Sequence, residues 1–105
     1  MRTYDVEYAP EFRDRIKGLY LHIAHEASPV VAENYTAAIV SYCDSLGTFP
    51  HRGVKREDLQ PGMRITHYKG RAVIAFAVDD EAGQVSIIDL FYGGQDYETA
   101  LRERE

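Results

Sequence analysis

The chain has 105 residues, of which 45% are hydrophobic and 28% charged, so it holds a single domain and is not disordered as a whole. A domain of this length buries roughly 65% of the surface its unfolded chain exposes, enough for one unaided core. Twelve Lys and Arg against 17 Asp and Glu leave a net charge of −5, which argues against a surface given over wholly to nucleic acid.

Tyr4, Val6 and Tyr8 alternate with Asp5 and Glu7, the period of a strand with one buried face, and the strand is expected over 3–8. Ala9-Pro10 ends it and opens a helix over 10–27, whose apolar stripe is Phe12, Ile16, Leu19, Tyr20 and Ile23. Ser28-Pro29 reads as an N-cap with proline at the first helical position. It starts a second helix over 29–47 with the stripe Val31, Tyr35, Ala38, Ile39, Tyr42 and Leu46. Two amphipathic helices with almost no linker form an antiparallel hairpin. A polar loop then runs from Phe49 to the Pro61-Gly62 turn. Strands are expected over 63–68, 71–78 and 85–92, the middle one an unbroken apolar run suited to the centre of a sheet. Asp96 to Arg104 forms a short terminal helix. The order β-α-α-β-β-β with that final helix implies an α+β fold, a helical hairpin on a mainly antiparallel sheet, filling residues 1–105. Phe12, Ile16, Leu19, Ile39, Tyr42, Leu46, Val73, Ile74, Phe76, Ile87 and Leu90 are the expected core.

No apolar run approaches the ~20 residues of a membrane span, and Met1-Arg2-Thr3-Tyr4-Asp5 lacks a signal-peptide core, so a cytoplasmic location is expected. Cys43 is the one cysteine, which excludes an internal disulfide; at the flank of the second helix's stripe it reads as a small buried hydrophobe. His22, His25 and Glu26 supply only part of a metal shell, and solvated side chains explain them better. No phosphate-loop, metalloprotease or nucleophile-elbow motif is present, and no cofactor is expected.

The charge is unevenly spread. Residues 51–71 hold Arg52, Lys55, Arg56, Arg64, Lys69 and Arg71 against Glu57 and Asp58, so this stretch is +4 and the remainder −9. Arg64 alternates with Met63 and Ile65, so with those two in the core it points to the opposite face along with Thr66 and Tyr68. Arg71 lies across a two-residue turn from Tyr68. Such a cluster suits a phosphodiester, or equally the carboxylates of a partner peptide. RNA cleavage would further need groups for proton transfer, for which His51, His67, Tyr92 and Tyr97 are the candidates.

Several segments together resemble a family. They are Tyr4-x-Val6-x-Tyr8-Ala9-Pro10-Glu11-Phe12, Ser28-Pro29-x-x-Ala32 with Tyr35, Leu46-x-x-Phe49-Pro50-x-x-Gly53, Gly62-Met63-Arg64, Tyr68, and Ile87-x-x-Leu90-Phe91-Tyr92-Gly93-Gly94-Gln95-Asp96. In order and spacing they resemble the ParE/RelE superfamily of type II toxin–antitoxin toxins, closer to ParE. The resemblance implies two helices packed on an antiparallel sheet, and a growth-inhibiting toxin neutralised by a cognate ParD-like antitoxin in a hetero-oligomer. ParE-like members inhibit DNA gyrase and are not nucleases, so this chain would neither cleave nor directly bind DNA. RelE-like members cleave messenger RNA on the ribosome. On that alternative Arg64 and Arg71 would hold the scissile phosphate, with His67 or Tyr92 moving the proton. Tyr92-Gly93-Gly94-Gln95 lacks the cation that RelE-like enzymes carry at the end of the last strand, which favours gyrase inhibition. A non-toxic interaction domain of the same fold is the third reading. The expected partner-binding residues are Arg52, Lys55, Arg56, Arg64, Tyr68, Arg71, Tyr92 and Tyr97.

Overall fold

Alternating Tyr4, Val6 and Tyr8 place one face of strand β1 (Asp5–Tyr8) against the core in the computed structural model, which describes residues 3–104. Met1, Arg2 and Glu105, the ends of the expected 1–105 domain, lie outside the described residues. Ala9 is extended and Pro10 opens α1 (Pro10–Glu26), where a missing N–H costs nothing. The Ser28 hydroxyl accepts the Val31 N–H at 3.1 Å and caps α2 (Pro29–Ser45). The chain continues through β2 (Val54–Lys55), β3 (Met63–Tyr68), β4 (Ala72–Asp79), β5 (Gln84–Tyr92) and α3 (Tyr97–Arg102).

The strands form one sheet in the order β1-β5-β4-β3-β2. Every pairing is antiparallel except β1 with β5, which is parallel because the helical hairpin and three further strands intervene between them. β2 falls inside the stretch expected to be loop. Val54 and Lys55 are both exposed, so the strand exists through backbone pairing with Ile65 and Arg64 and carries no burial alternation.

The sheet is covered on both faces. Toward the hairpin lie Phe12, Leu19, Ile39, Cys43 and Leu46 from the helices, against Ile74, Phe76, Val85, Ile87 and Leu90. The other face packs Leu59, Met63, Ile65, Ala75, Ile88 and Phe91 beneath Leu101 of α3. Burying each such side chain contributes about 1.5–3 kcal/mol. Two of the sequence expectations are corrected by this arrangement. Ile16, Tyr42 and Val73 are only partly buried, the first two at the rim of the hairpin core and Val73 on the α3 side. Met63 and Ile65 fill the smaller core, so the face opposite them is the main core rather than open surface. Thr66 is buried there, bonded to the Tyr42 hydroxyl at 2.9 Å, and Tyr68 packs on the rings of Tyr35 and Tyr42.

A β-bulge switches the phase of β5. Ala75 pairs with Asp89 but Phe76 with Ile87, so Ile88 is the extra residue. Val85 and Ile87 before the bulge, and Leu90 and Tyr92 after it, thereby share the hairpin face, while Ile88 and Phe91 join the other core. This is why Ile87 and Leu90, three residues apart, share one face in a strand whose period is 2.

α3 has six residues, too few to be stable alone. Leu101, 1% exposed, anchors it, and Arg56 reaches from the loop before β3 to Glu98 at 2.6 Å. Arg104 beyond it pairs with Glu11 at 2.7 Å, tying the end of the described chain to the start of α1.

Candidate functional site

The cationic stretch from 51 to 71 divides into side chains bound within the molecule and side chains presented to solvent. Arg64 belongs to the first group. Its Nε donates to the Arg52 carbonyl at 2.8 Å and its Nη2 to the His51 carbonyl at 2.6 Å, with Gly53 O at 3.5 Å. The guanidinium thus holds the loop before β2 against β3. Gly53 lies at the centre of this contact with φ +73°, and a Cβ there would stand 2.2 Å from the Ile65 carbonyl oxygen.

Arg52 lies over the rings of Phe49 and Tyr42, 4.9 and 5.3 Å from their centroids, and donates to the Ser45 hydroxyl at 3.3 Å. Arg56 grips Asp58 through both carboxylate oxygens at 3.0 and 2.9 Å in addition to Glu98. That pairing raises the Arg56 pKa and holds the Asp58 carboxyl at about 2. His51 bonds Asp80 at 2.7 Å, and the Tyr4 hydroxyl donates to the same carboxylate oxygen at 2.7 Å. These contacts join the loop before β2 to the β4–β5 turn.

Lys55, Lys69 and Arg71 form the exposed group. Lys69 stands 5.7 Å from the Tyr68 ring and Arg71 5.4 Å from the Tyr92 ring. Tyr35 of α2 packs between Tyr68 and Tyr92, at centroid distances of 6.2 and 5.9 Å. The Tyr35 hydroxyl is buried with no hydrogen-bond partner, and its pKa is raised by desolvation, then by Tyr92 and Tyr68. One end of the sheet therefore carries three tyrosine rings flanked by two cations.

The four residues considered for RNA cleavage are distributed over the sheet. Arg71 and Tyr92 are together, but Arg64 pairs with Phe76, four positions along the ladder from the Tyr68–Ala72 pair, or roughly 13 Å. His67 pairs with Val73 and so stands on the α3 side, the face opposite Tyr68 and Tyr92. Tyr97 also belongs to that side, packed on Phe91 at 6.2 Å. Of the expected partner-binding set, Tyr68, Arg71 and Tyr92 cluster at this end of the sheet, while Arg52, Lys55 and Arg64 meet around the β2–β3 pairing.

Sequence reasoning missed Asp89. It is 6% exposed and sits at the bulge, accepting the Arg15 Nε at 3.1 Å and the Leu90 N–H at 2.7 Å. A lone acid inside Ile87-Ile88-Asp89-Leu90-Phe91 was the available signal, since a buried carboxylate requires a partner. Among the described residues no group of three or more His, Cys, Asp or Glu side chains is placed to hold a metal ion, and no helix is long and apolar enough to cross a membrane.

Residues 6–97 match the sequence model of the family described as the ParE toxin of the type II toxin–antitoxin system parDE. The chain belongs to that family. Its fold is that of solved members of the wider group. A structure titled as the chromosomal ParDE system of P. aeruginosa superposes with a TM-score of 0.73 at 16% identity, covering 88% of this chain and 98% of the other. A chain of the toxin–antitoxin complex RelBE2 of Mycobacterium tuberculosis gives 0.59 at 20% identity, covering 87% and 99%. A search of curated protein sequences found no match. The ParE assignment agrees with the resemblance drawn from the sequence, and the helical hairpin on a five-stranded sheet is the fold of both neighbours.

Proposed function

We propose that this ParE-family chain arrests growth by protein–protein contact with DNA gyrase and is held inactive by a ParD-like antitoxin in a hetero-oligomer, without a cofactor and without contacting DNA itself. The observation that carries the mechanism is the engagement of Arg64: with its guanidinium on the carbonyls of residues 51–53, it serves the fold. RNA cleavage asks for convergent groups that bind the phosphate and move two protons, whereas Arg64, His67 and Tyr92 are spread over two faces of the sheet. The antitoxin partner is supported by the neighbours, one titled a ParDE system and one a toxin–antitoxin complex. On this reading the surface offered to the target is the end of the sheet bearing Lys69, Arg71 and Tyr92, running into the turn toward Tyr97. The place of action is the cytoplasm, where gyrase works.

Two assays on the purified toxin test the mechanism: gyrase supercoiling, and cleavage of a message on programmed ribosomes. Inhibited supercoiling with an intact message is expected. A cut message with supercoiling untouched overturns the gyrase target and assigns Arg71 and Tyr92 to RNA.

A further inference from the structure

Tyr68 and Tyr92 both pair with Ala72 in the ladder, so their rings flank it on the hairpin face, two strands apart. Ala72 carries only a methyl group and is 0% exposed, and the Tyr35 ring from α2 packs between the two flanking rings. This seals the Tyr35 hydroxyl without a hydrogen-bond partner among the described residues. A buried donor with no acceptor is costly, and phenylalanine would remove that cost with no loss of packing. Nothing inside the molecule calls for tyrosine rather than phenylalanine at this position. Arg71 acts on the same phenol, its charge opposing the rise in pKa that burial and the two neighbouring phenols cause.

Lys69 is the second, independent observation. Among the described residues it is the one non-glycine at positive φ, +52°, and Gly70 follows at +74°. The two form the turn that the Arg71 N–H closes on the Tyr68 carbonyl. Such a turn is ordinarily made with Asn, Asp or Gly in the first place, because other side chains are strained there. Neither the turn nor the core uses the lysine, which is exposed, stands over the Tyr68 ring and makes no ion pair among the described residues. Arg71 is likewise exposed and without a carboxylate, over the Tyr92 ring. One end of the sheet thus holds two cations and a buried donor, all lacking the same thing: an oxygen acceptor that carries negative charge.

We infer that the target segment docking on this end of the sheet is acidic, one of its carboxylates taking the Tyr35 O–H together with Arg71 while a second meets Lys69. Tyr68 and Tyr92 are partly exposed, so turning either ring admits the carboxylate, and the packed tyrosines give it a rigid, partly dry setting. A phosphate offers similar oxygens, but a nucleic acid carries charge along its whole length and would run from this cationic end over a body of net negative charge. A short acidic peptide touches the patch alone. The inference rests on the gyrase reading above and specifies the contact it requires.

The test is inhibition of supercoiling by purified gyrase, with thermal unfolding of each full-length toxin variant measured alongside. Tyr35→Phe deletes only the sealed hydroxyl, so it should raise the melting temperature by roughly 4 °C yet weaken inhibition about tenfold. Lys69→Asn relaxes the turn, and should raise the melting temperature by roughly 3 °C while weakening inhibition about fivefold. A residue serving the fold alone would not give stability and lost function together. Arg71→Glu should weaken inhibition about thirtyfold, and added salt should weaken the parent more than it weakens that variant. Full inhibition by either Tyr35→Phe or Arg71→Glu overturns this contact and leaves gyrase as the target. A parent that leaves supercoiling untouched overturns the gyrase reading and this contact with it. Cleavage of a message on programmed ribosomes by the parent, lost in Arg71→Glu, assigns the patch to phosphate and overturns the acidic segment.

Discussion

Replacing Arg64 with alanine separates a strut from a contact. The side chain makes two good charge-assisted hydrogen bonds, 2.8 Å to Arg52 O and 2.6 Å to His51 O, and the 3.5 Å approach to Gly53 adds little. A hydrogen bond to a charged group contributes about 1.5–3 kcal/mol when shielded. One of these is half-buried and the other exposed, so the lower end applies and the pair contributes about 2.5 kcal/mol. For a domain this size that lowers the melting temperature by roughly 10–20 °C, and a urea midpoint with a slope of about 1.5 kcal/mol/M by roughly 1.7 M. Arg64→Lys keeps the charge but cannot fork to two carbonyls, and should lose about half as much. Urea unfolding followed by circular dichroism measures both, alongside growth arrest on induction. Toxicity should fall in step with stability and recover at lower temperature. An Arg64→Ala protein that unfolds at the parental midpoint yet no longer arrests growth would refute the strut and make Arg64 a target or antitoxin contact.

Gly53→Ala forces a side chain onto a residue at φ +73° and to within 2.2 Å of the Ile65 carbonyl oxygen, so a loss of at least about 3 kcal/mol is expected; a melting temperature within about 2 °C of the parent contradicts it. Arg56 holds the Asp58 carboxyl at about 2, down from 3.8. A carboxylate depressed on folding stabilises above its unfolded value and loses that contribution as pH falls toward the folded one, so the α3 anchor should weaken between about pH 4 and pH 2. Asp96, lowered by Thr99, shifts in the same sense. Leu101 methyl resonances should then move toward exposed values while those of Ile74 stay; simultaneous loss of both argues against a separable anchor. Burial, with Asp44 adding, pushes the Cys43 thiol up to about 12 and leaves it 0% exposed. Iodoacetamide at pH 8 should label it about a thousandfold more slowly in the native protein than in urea, and equal rates would show that the α2 core opens readily.

The helical hairpin was legible because its signals are local. Pro10 at a helix start, the Ser28 cap followed by Pro29, and apolar stripes spaced 3 and 4 apart all act within one or two turns of the chain. β3, β4 and β5 announced themselves by β-branched and aromatic runs between turn residues, and their limits fell within a residue of 63–68, 71–78 and 85–92. β2 did not, since two exposed residues carry no alternation. The bulge was equally hidden, because an extra residue in a strand registers only against its partner.

At the candidate site, sequence identified the composition of the patch but not its engagement. Six cations within 21 residues look equivalent until acceptors are assigned to them, and only folding supplies those. Arg56 found Glu98, 42 positions away, Arg15 found Asp89, 74 away, and Arg104 found Glu11, 93 away. Arg64 found carbonyl groups that every residue possesses, which no side-chain pattern encodes. Family, helices and most strands were thus determined by the sequence through short-range propensity and periodicity. Which cations face solvent, where β1 stops pairing and where β5 bulges were decided by tertiary contacts, because hydrogen-bond and ion-pair partners are chosen by position in space rather than along the chain.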